Sequence, residues 1–303
     1  MSDDDLSWGV RSRLEFIEWK AYWEGRLNRE DLENQFRIST PQASVDLKNY
    51  RERAPGNIEY NPAERAYFAT DNFRQQFLRL SPERFLLQLQ SIKSGSLDIR
   101  ETWFSHLPPV DVVPRLSRDV HAFVLRAILK CIRINGEMEI YYQSLTSAKL
   151  RTICPHSLAY DGHRWHIRAW APARAEYRDY VFGRILSFAE PKPCQSQPPE
   201  DLEWNTFVDL ALIAHPDLSE EQRNAIEHDF QMEGGRKVLS LRLALAFYFI
   251  KRHNLDLREG QVPPERAQLY IENYADYLAA RAKIKESVSV VGEAWQQSRL
   301  TPA

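Results

Sequence analysis

The chain has little cysteine: three residues in 303, at Cys131, Cys154 and Cys194. They are far apart and odd in number, so neither a disulfide framework nor a CxxC metal site is expected. No apolar run approaches the roughly 20 residues that a bilayer crossing requires. The longest, Leu243 to Ile250, predicts a buried helix, and no membrane partner is expected. The acidic start Met-Ser-Asp-Asp-Asp has no apolar h-region, so no secretory signal is expected and the cytoplasm is the expected compartment. Net charge is also scarce, at −2, which excludes nucleic-acid binding by bulk attraction. Paired carboxylates, metal-ligand spacing of histidines on the basic strands and a nucleophile elbow are all missing. No catalytic residue, metal or cofactor is expected.

What is present is a globular composition, 43% hydrophobic, 27% charged and 12% aromatic, long enough for two or three domains. Charge is unevenly placed. Asp3 to Thr70 holds 10 Lys/Arg against 13 Asp/Glu, a net of −3, yet Arg37 to Arg53 within it is +2. Thr146 to Phe188 carries seven basic and three acidic residues, a net of +4.

Leu14, Ile17 and Ala21 predict an amphipathic helix over about Val10 to Glu24, ended by Gly25. Asn28 caps a second helix, Arg29 to Phe36. After a turn at Arg37-Ile38, Ser39 starts a third helix, with a Ser39–Gln42 capping box and Pro41 in the first turn. Ala54-Pro55-Gly56 stops it. Asn57 to Tyr60 and Ala66 to Ala69 read as a hairpin. Three helices and a hairpin is the order of a winged helix-turn-helix, whose last helix enters the major groove.

On this reading Ser39, Thr40, Gln42, Ser44, Lys48, Asn49 and Arg51 on the third helix, with Arg65 on the wing, are the candidate DNA contacts. Gln and Asn can read adenine edges, while Ser, Thr and Lys suit phosphates. The same order could also serve as a scaffold for protein contacts.

Asp71 to Lys93 predicts helix, split at Ser81-Pro82. Leu107 to Pro114 reads as linker. Ser117 to Cys131 predicts a helix with Val120, Val124, Ala127 and Ile128 inward. Strands follow at Glu137–Ser144, Lys149–His156, Ser157–Tyr160, Arg164–Trp170 and Tyr177–Phe188, with a tight turn at Asp161-Gly162. This spacing argues a small β-barrel or curled sheet. Alternation allows Tyr142, Ser144, His156, Arg168, Arg178 and Arg184 to converge as a pocket for phosphate or a nucleic-acid strand. Solvated surface arginines are the plain alternative. Beyond the Pro-rich stretch Pro191–Pro199, Phe207–Ala214 suggests a strand and Ser219–Phe230 a helix. Val238–Lys251 and Pro264–Ala282 suggest further helices, and this part shows no polar constellation.

The run Arg151-Thr152-Ile153-Cys154-Pro155-His156-Ser157-Leu158, with Trp165-His166-Ile167 behind it, resembles the core of a WYL domain. So does Arg178-Asp179-Tyr180-Val181-Phe182-Gly183-Arg184-Ile185. His166 departs from the family's Tyr. The whole layout is similar to WYL-type transcription regulators, and Ser39 to Leu47 with the wing resembles the repressors beside bacterial phage-defence islands of BREX and CBASS types. The resemblance implies an α+β multidomain chain. Its parts would be a winged helix at residues 1–70, a helical connector at 71–116, an Sm-like WYL barrel at 117–190 and an α/β dimerisation extension at 200–303. It also implies a homodimeric repressor on an inverted-repeat operator in double-stranded DNA. Release would follow when a nucleic-acid or nucleotide-like ligand binds the WYL residues. A WYL-type activator responding to single-stranded DNA is the alternative regulator. A nucleic-acid-processing enzyme using His156 and His166 is the alternative from another class.

Overall fold

In the computed structural model, which describes residues 6–114, 116, 119–257 and 261–300, the chain begins with α1, Trp8–Glu24. Gly25 ends it in the left-handed conformation (φ 74), which glycine adopts without a Cβ penalty. Strand β1 is Arg26–Leu27. Helix α2, Arg29–Phe36, is capped by Asn28 and Asp31 in a reciprocal box. Helix α3, Thr40–Arg53, has Ser39 as N-cap. Strands β2, Ile58–Asn61, and β3, Ala66–Ala69, form the expected hairpin. A third strand joins them, in the order β1-β3-β2. Two residues are too few to show a period, so β1 had no sequence signal.

Two expectations fail in this unit. The Ser39–Gln42 box does not form, because Ser39 makes no side-chain cap. Gln42 Nε2 instead donates to Asp46 Oδ1 at 3.1 Å, and the buried Asp46 also takes Arg13 Nε at 2.7 Å. The Gln42 side chain is thereby turned toward Asp46 and away from the Ser39 amide, from which it would accept in the box. Asp71 to Leu80 is not helical; only Pro82–Lys93, α4, is. The fully buried Glu18 carboxylate accepts the backbone amides of Gln76, Phe77 and Leu78, all at about 3.0 Å, and takes the Tyr50 hydroxyl at 3.3 Å. Phe77 then enters the core with Leu14, Ile17, Leu47 and Tyr50. Phe73 and Phe77 have helical spacing, but the Phe77 amide is held by a side chain from α1 and the Phe73 amide by the Thr70 carbonyl.

Backbone contacts separate residues 1–116 from residues 117–303. The second unit starts with α5, Ala122–Arg133. Ser117 and Arg118, where the helix was expected to start, lie outside the described residues. Val120 precedes the helix and is exposed, whereas Val124, Ala127 and Ile128 are buried as expected. Strands β4 (Gly136–Gln143), β5 (Ala148–Tyr160), β6 (Trp165–Ala171), β7 (Glu176–Val181) and β8 (Ile185–Phe188) form an antiparallel sheet in the order β7-β6-β5-β4-β8. The short β9, Lys192–Pro193, pairs with the start of β4. The two strands expected at Lys149–His156 and Ser157–Tyr160 are one, broken by a bulge between Pro155 and Ser157. A closed barrel is also corrected. Strands β7 and β8 end the ladder unpaired with each other, joined by a 3-10 turn at Phe182–Arg184. One face of the sheet carries Met138, Ile140, Ile153, Ile167 and Ala169 against α5.

The C-terminal part contains α6 (Leu202–Asn205), β10 (Phe207–Ala214), α7 (Glu220–Asp229), β11 (Arg236–Arg242), α8 (Leu243–Arg252), β12 (Leu269–Ile271) and α9 (Tyr274–Leu300). The sheet order is β11-β10-β12, antiparallel throughout. Val238 to Arg242 and Leu269 to Ile271, expected as helix, are strands because β10 offers both edges to them. Among the described residues no helix is long and apolar enough to cross a membrane.

Candidate nucleic-acid interface and ligand site

Helix α3 buries Ala43, Leu47 and Tyr50 and turns its other face outward. Ser39, Thr40, Lys48 and Arg51 are exposed, as is Val45 among them. Because Ser39 caps nothing, the first-turn amides of α3 remain open to an anion. Lys48 has only a loose pairing, 3.7 Å to Glu52, between two exposed side chains. Ser44 Oγ donates back to the Thr40 carbonyl, and Asn49 Oδ1 accepts from Arg53 Nε at 2.8 Å. Asn49 therefore keeps its amide donors, while Gln42 has one engaged with Asp46. Arg65 is exposed in the wing turn at φ 52. Arg51 lies 6.0 Å from the centre of the Tyr67 ring, which packs on Tyr60. The eight candidates thus lie on α3, its N-cap and the hairpin; Gln42, Ser44 and Asn49 are partly spent on the fold, and the other five are exposed.

The six expected pocket residues do not converge. Register separates them: Ala169 pairs with Arg178 and Ile167 with Tyr180, whereas Arg168 pairs with Asp179. Arg178 and Tyr180 therefore share the core face, and Arg168 points to the other side. On the core face Tyr142 is buried and its hydroxyl accepts the Val181 amide at 3.1 Å. Its ring stands edge-on to Tyr180 at 5.2 Å. Arg151, which the sequence reading left out, places its guanidinium 5.4 Å from the Tyr142 ring centre. Its Nε is buried without a hydrogen-bond partner. Burial pushes the Tyr180 hydroxyl above its usual range, against the pull of Arg151 and Arg178. Arg178 is half-exposed, 3.4 Å from Glu176. Ser144 closes the β4–β5 turn through Ser147. Arg184 is half-buried and has no ion pair among the described residues.

The opposite face is spent internally. Arg168, 4% exposed, clasps Asp201 with two bonds at 2.7 and 3.0 Å. It also reaches Glu203 at 2.7 Å and Asp179 at 3.4 Å. His156 Nε2 meets Asp201 at 3.0 Å, and the Tyr248 hydroxyl donates to Asp179 at 2.7 Å. Burial would raise the Asp201 pKa, but His156 and Arg168 hold it down, at about 2. With three carboxylates around one guanidinium, Arg168 has no charge left for an anion. His156 shares its carboxylate with that guanidinium, so it does not form a free base dyad. His166 is buried against Asp161 at 2.8 Å and Tyr248. Asp179, Asp201, Glu203 and Tyr248 were missed because they lie apart in sequence. Arg151 was legible: it has the strand parity of Ile153.

Two of the three cysteines, distant in sequence, also meet here. Cys154 and Cys194 lie with Glu137 so that their donor atoms are all within 4.8 Å of one another.

Three family models match the chain. They are the BrxR transcriptional regulator winged helix-turn-helix domain at residues 9–91, the WYL domain at 124–190, and the BrxR transcriptional regulator C-terminal dimerization domain at 207–277. The DNA-binding transcriptional repressor CapW of Escherichia coli strain KTE188 is 39% identical over 274 residues, 90% of this chain and 92% of that protein. The CapW repressors of Pseudomonas aeruginosa and Stenotrophomonas maltophilia are 37% and 34% identical, over 88% of this chain and 90% and 91% of theirs. Among solved structures, proteasome accessory factor B/C of Arthrobacter aurescens aligns with 95% of this chain and 48% of its own, at 14% identity. Its TM-score of 0.22 is too low to carry a structural inference.

Proposed function

The chain belongs to the family of the CapW repressors, and on that premise we propose that it is a homodimeric DNA-binding transcriptional repressor of a bacterial phage-defence operon. Its place is the cytoplasm, where the operator is. The observation that carries this reading is the outward face of α3, with an uncapped N-terminus and exposed Thr40, Lys48 and Arg51 beside the wing residue Arg65. Helix α3 enters the major groove, with Gln42 and Asn49 at base edges and Ser39, Thr40, Ser44, Lys48, Arg51 and Arg65 at the backbone. A two-fold dimer through the C-terminal sheet then requires an inverted repeat. Exposed Val238 and Phe247 there suit such a contact.

The ligand-responsive site is the core-face group of Tyr142, Arg151, Arg178 and Tyr180, with Ser144 and Arg184 at its margin. The orphan Arg151 Nε supports it: a buried donor without a partner has a free-energy cost of about 1–3 kcal/mol that an anionic ligand would relieve. A phosphodiester or nucleotide-like ligand fits two guanidiniums flanked by aromatic rings. Arg168 and His156 serve instead to fasten the sheet to α6 and α8.

A gel shift on the gene's own upstream region tests the proposal. A salt-sensitive retarded species is expected, and no retardation at low salt overturns it.

A further inference from the structure

Strand register places Glu137 and Cys154 side by side. Met138 pairs with Ile153 at the end of the β4–β5 ladder, so the next position outward sets Glu137 opposite Cys154, both on the face away from α5. Immediately after β9, which pairs with Gly136 and Glu137, the chain delivers Cys194 to the same spot. Two sulfurs and a carboxylate oxygen lie within 4.8 Å of one another. In a tetrahedral zinc site, with Zn–S near 2.3 Å and Zn–O near 2.1 Å, such donors stand roughly 3.6–3.8 Å apart. A contraction of about 1 Å would therefore complete the geometry. Glu137 and Cys154 are buried, and Cys194 is half-buried.

The geometry points to a binding site for a thiophilic divalent cation such as Zn2+, with Cys154, Cys194 and Glu137 as its protein ligands and a fourth position open to water. Neither the reading of α3 as a DNA reader nor that of Arg151 as a ligand contact enters this inference. Two thiolates select against Mg2+ and Ca2+, which take oxygen donors. Access is present: a cavity of about 380 Å3 opens beside Glu137, lined also by Glu139, Thr152, Lys192 and Gln195. The carboxylate is already oriented, 3.3 Å from Lys192 Nζ and 3.4 Å from the Gln195 amide. Such outer contacts fix a ligand's direction. Among the described residues that line this cavity Lys192 is the one cation, and its exposed side chain can turn outward as a metal enters.

Chemistry favours a metal over a redox pair. A carboxylate oxygen stands within 4.8 Å of both sulfurs, which completes a donor set for a cation and adds nothing to a dithiol–disulfide pair. A divalent ion supplies the charge that draws off the thiol protons. Cys131 is buried in the α5 core, outside the set of mutually close donors, and serves as the internal control.

The site would tie β4 and β5 to the Pro-rich stretch leading to the C-terminal part. Trp170 and Trp295 pack against Cys154, and Trp295 Nε1 donates to the Gln197 carbonyl. Tryptophan emission thus gives a second readout.

The test uses the full chain, reduced and stripped of metal, titrated with Co2+ and then Zn2+. Stoichiometric binding is expected, with a thiolate-to-cobalt charge-transfer band, a change in tryptophan emission and displacement of Co2+ by Zn2+. Cys194→Ser is expected to weaken Zn2+ binding by more than about 100-fold and to remove intensity from the band. It lies in an irregular segment, so its circular dichroism should match the parent. Glu137→Gln should weaken binding while keeping the band, and Cys131→Ser should leave both unchanged. Absence of the band in the reduced protein overturns the proposal, including the case where mild oxidation joins Cys154 to Cys194. So does binding that survives in Cys154→Ser/Cys194→Ser.

Discussion

At the scale of the residue, buried charge decides what each side chain is free to do. Glu18 and Arg168 are both sealed inside, and each satisfies its charge with several partners. Removing such a charge's complement exposes polar groups that burial has already dehydrated. Glu18→Gln keeps the shape but weakens three amide bonds and is expected to cost about 2–4 kcal/mol, read by urea denaturation. An unchanged midpoint would show that the Gln76–Leu78 segment holds itself. Arg168→Ala is expected to cost about 3–5 kcal/mol by leaving Asp201 and Asp179 uncompensated. Arg151→Ala is expected to leave stability within about 1 kcal/mol, since its Nε already lacks a partner, and to abolish induction while operator binding persists. Normal derepression by that variant would remove Arg151 and the core face as the sensor. Arg151 and Arg168, both arginines of the same motif region, are thereby predicted to fail in different assays.

At the scale of the element, helix α3 combines a packed side and an unspent side. Lys48→Ala is expected to weaken all DNA sequences alike and to lower the salt slope of binding by about 1. Asn49→Ala should instead relax base preference at one position of each half-site. Equal losses on specific and scrambled DNA would place Asn49 on the backbone. Helix α9 gives a test of packing. A Cβ at Gly292 would stand 2.5 Å from the Ala175 carbonyl oxygen, so the helix approaches the β6–β7 turn as closely as glycine allows. Gly292→Ala is expected to destabilise the second unit by about 1–3 kcal/mol, seen as a lowered thermal midpoint.

For the molecule as a whole, the net charge of −2 means that DNA affinity comes from placed contacts doubled by two-fold symmetry, not bulk attraction. Acid stability follows from the buried aspartates. Asp201 and Asp161 are ordinarily near 3.8 and are held at about 2 in the fold, where burial, which raises them, is outweighed by hydrogen bonds from histidines and backbone amides and, at Asp201, by Arg168. A depressed carboxylate stabilises the fold above its unfolded pKa and loses that contribution as pH falls toward the folded one. The second unit is therefore expected to lose about 2 kcal/mol per group between about pH 4 and pH 2. Asp201→Asn should lower stability at neutral pH and flatten the acid slope. A parallel acid profile would assign the transition to other groups.

Much of the molecule is legible in residue order alone. Asn28, Gly25, Pro41 and Ser219 mark helix boundaries because caps and left-handed turns are local chemistry. The winged-helix order and the WYL-like run follow from periods of 3.6 and 2 and from spacing. What sequence cannot show is which partner a periodic segment will find. Asp71–Leu80 has helical spacing, yet Glu18 takes the amides of Gln76, Phe77 and Leu78. Val238–Arg242 has an apolar run, yet β10 offers it an edge. Strand alternation places Arg168 and Arg178 on opposite faces only once the β6–β7 register is set. Likewise, the thiols that looked too far apart to act together meet because two strands and a loop bring them to one point. Local propensity is a property of neighbours in the chain, whereas the site is made by hydrogen bonds and ion pairs between segments 33 to 98 residues apart.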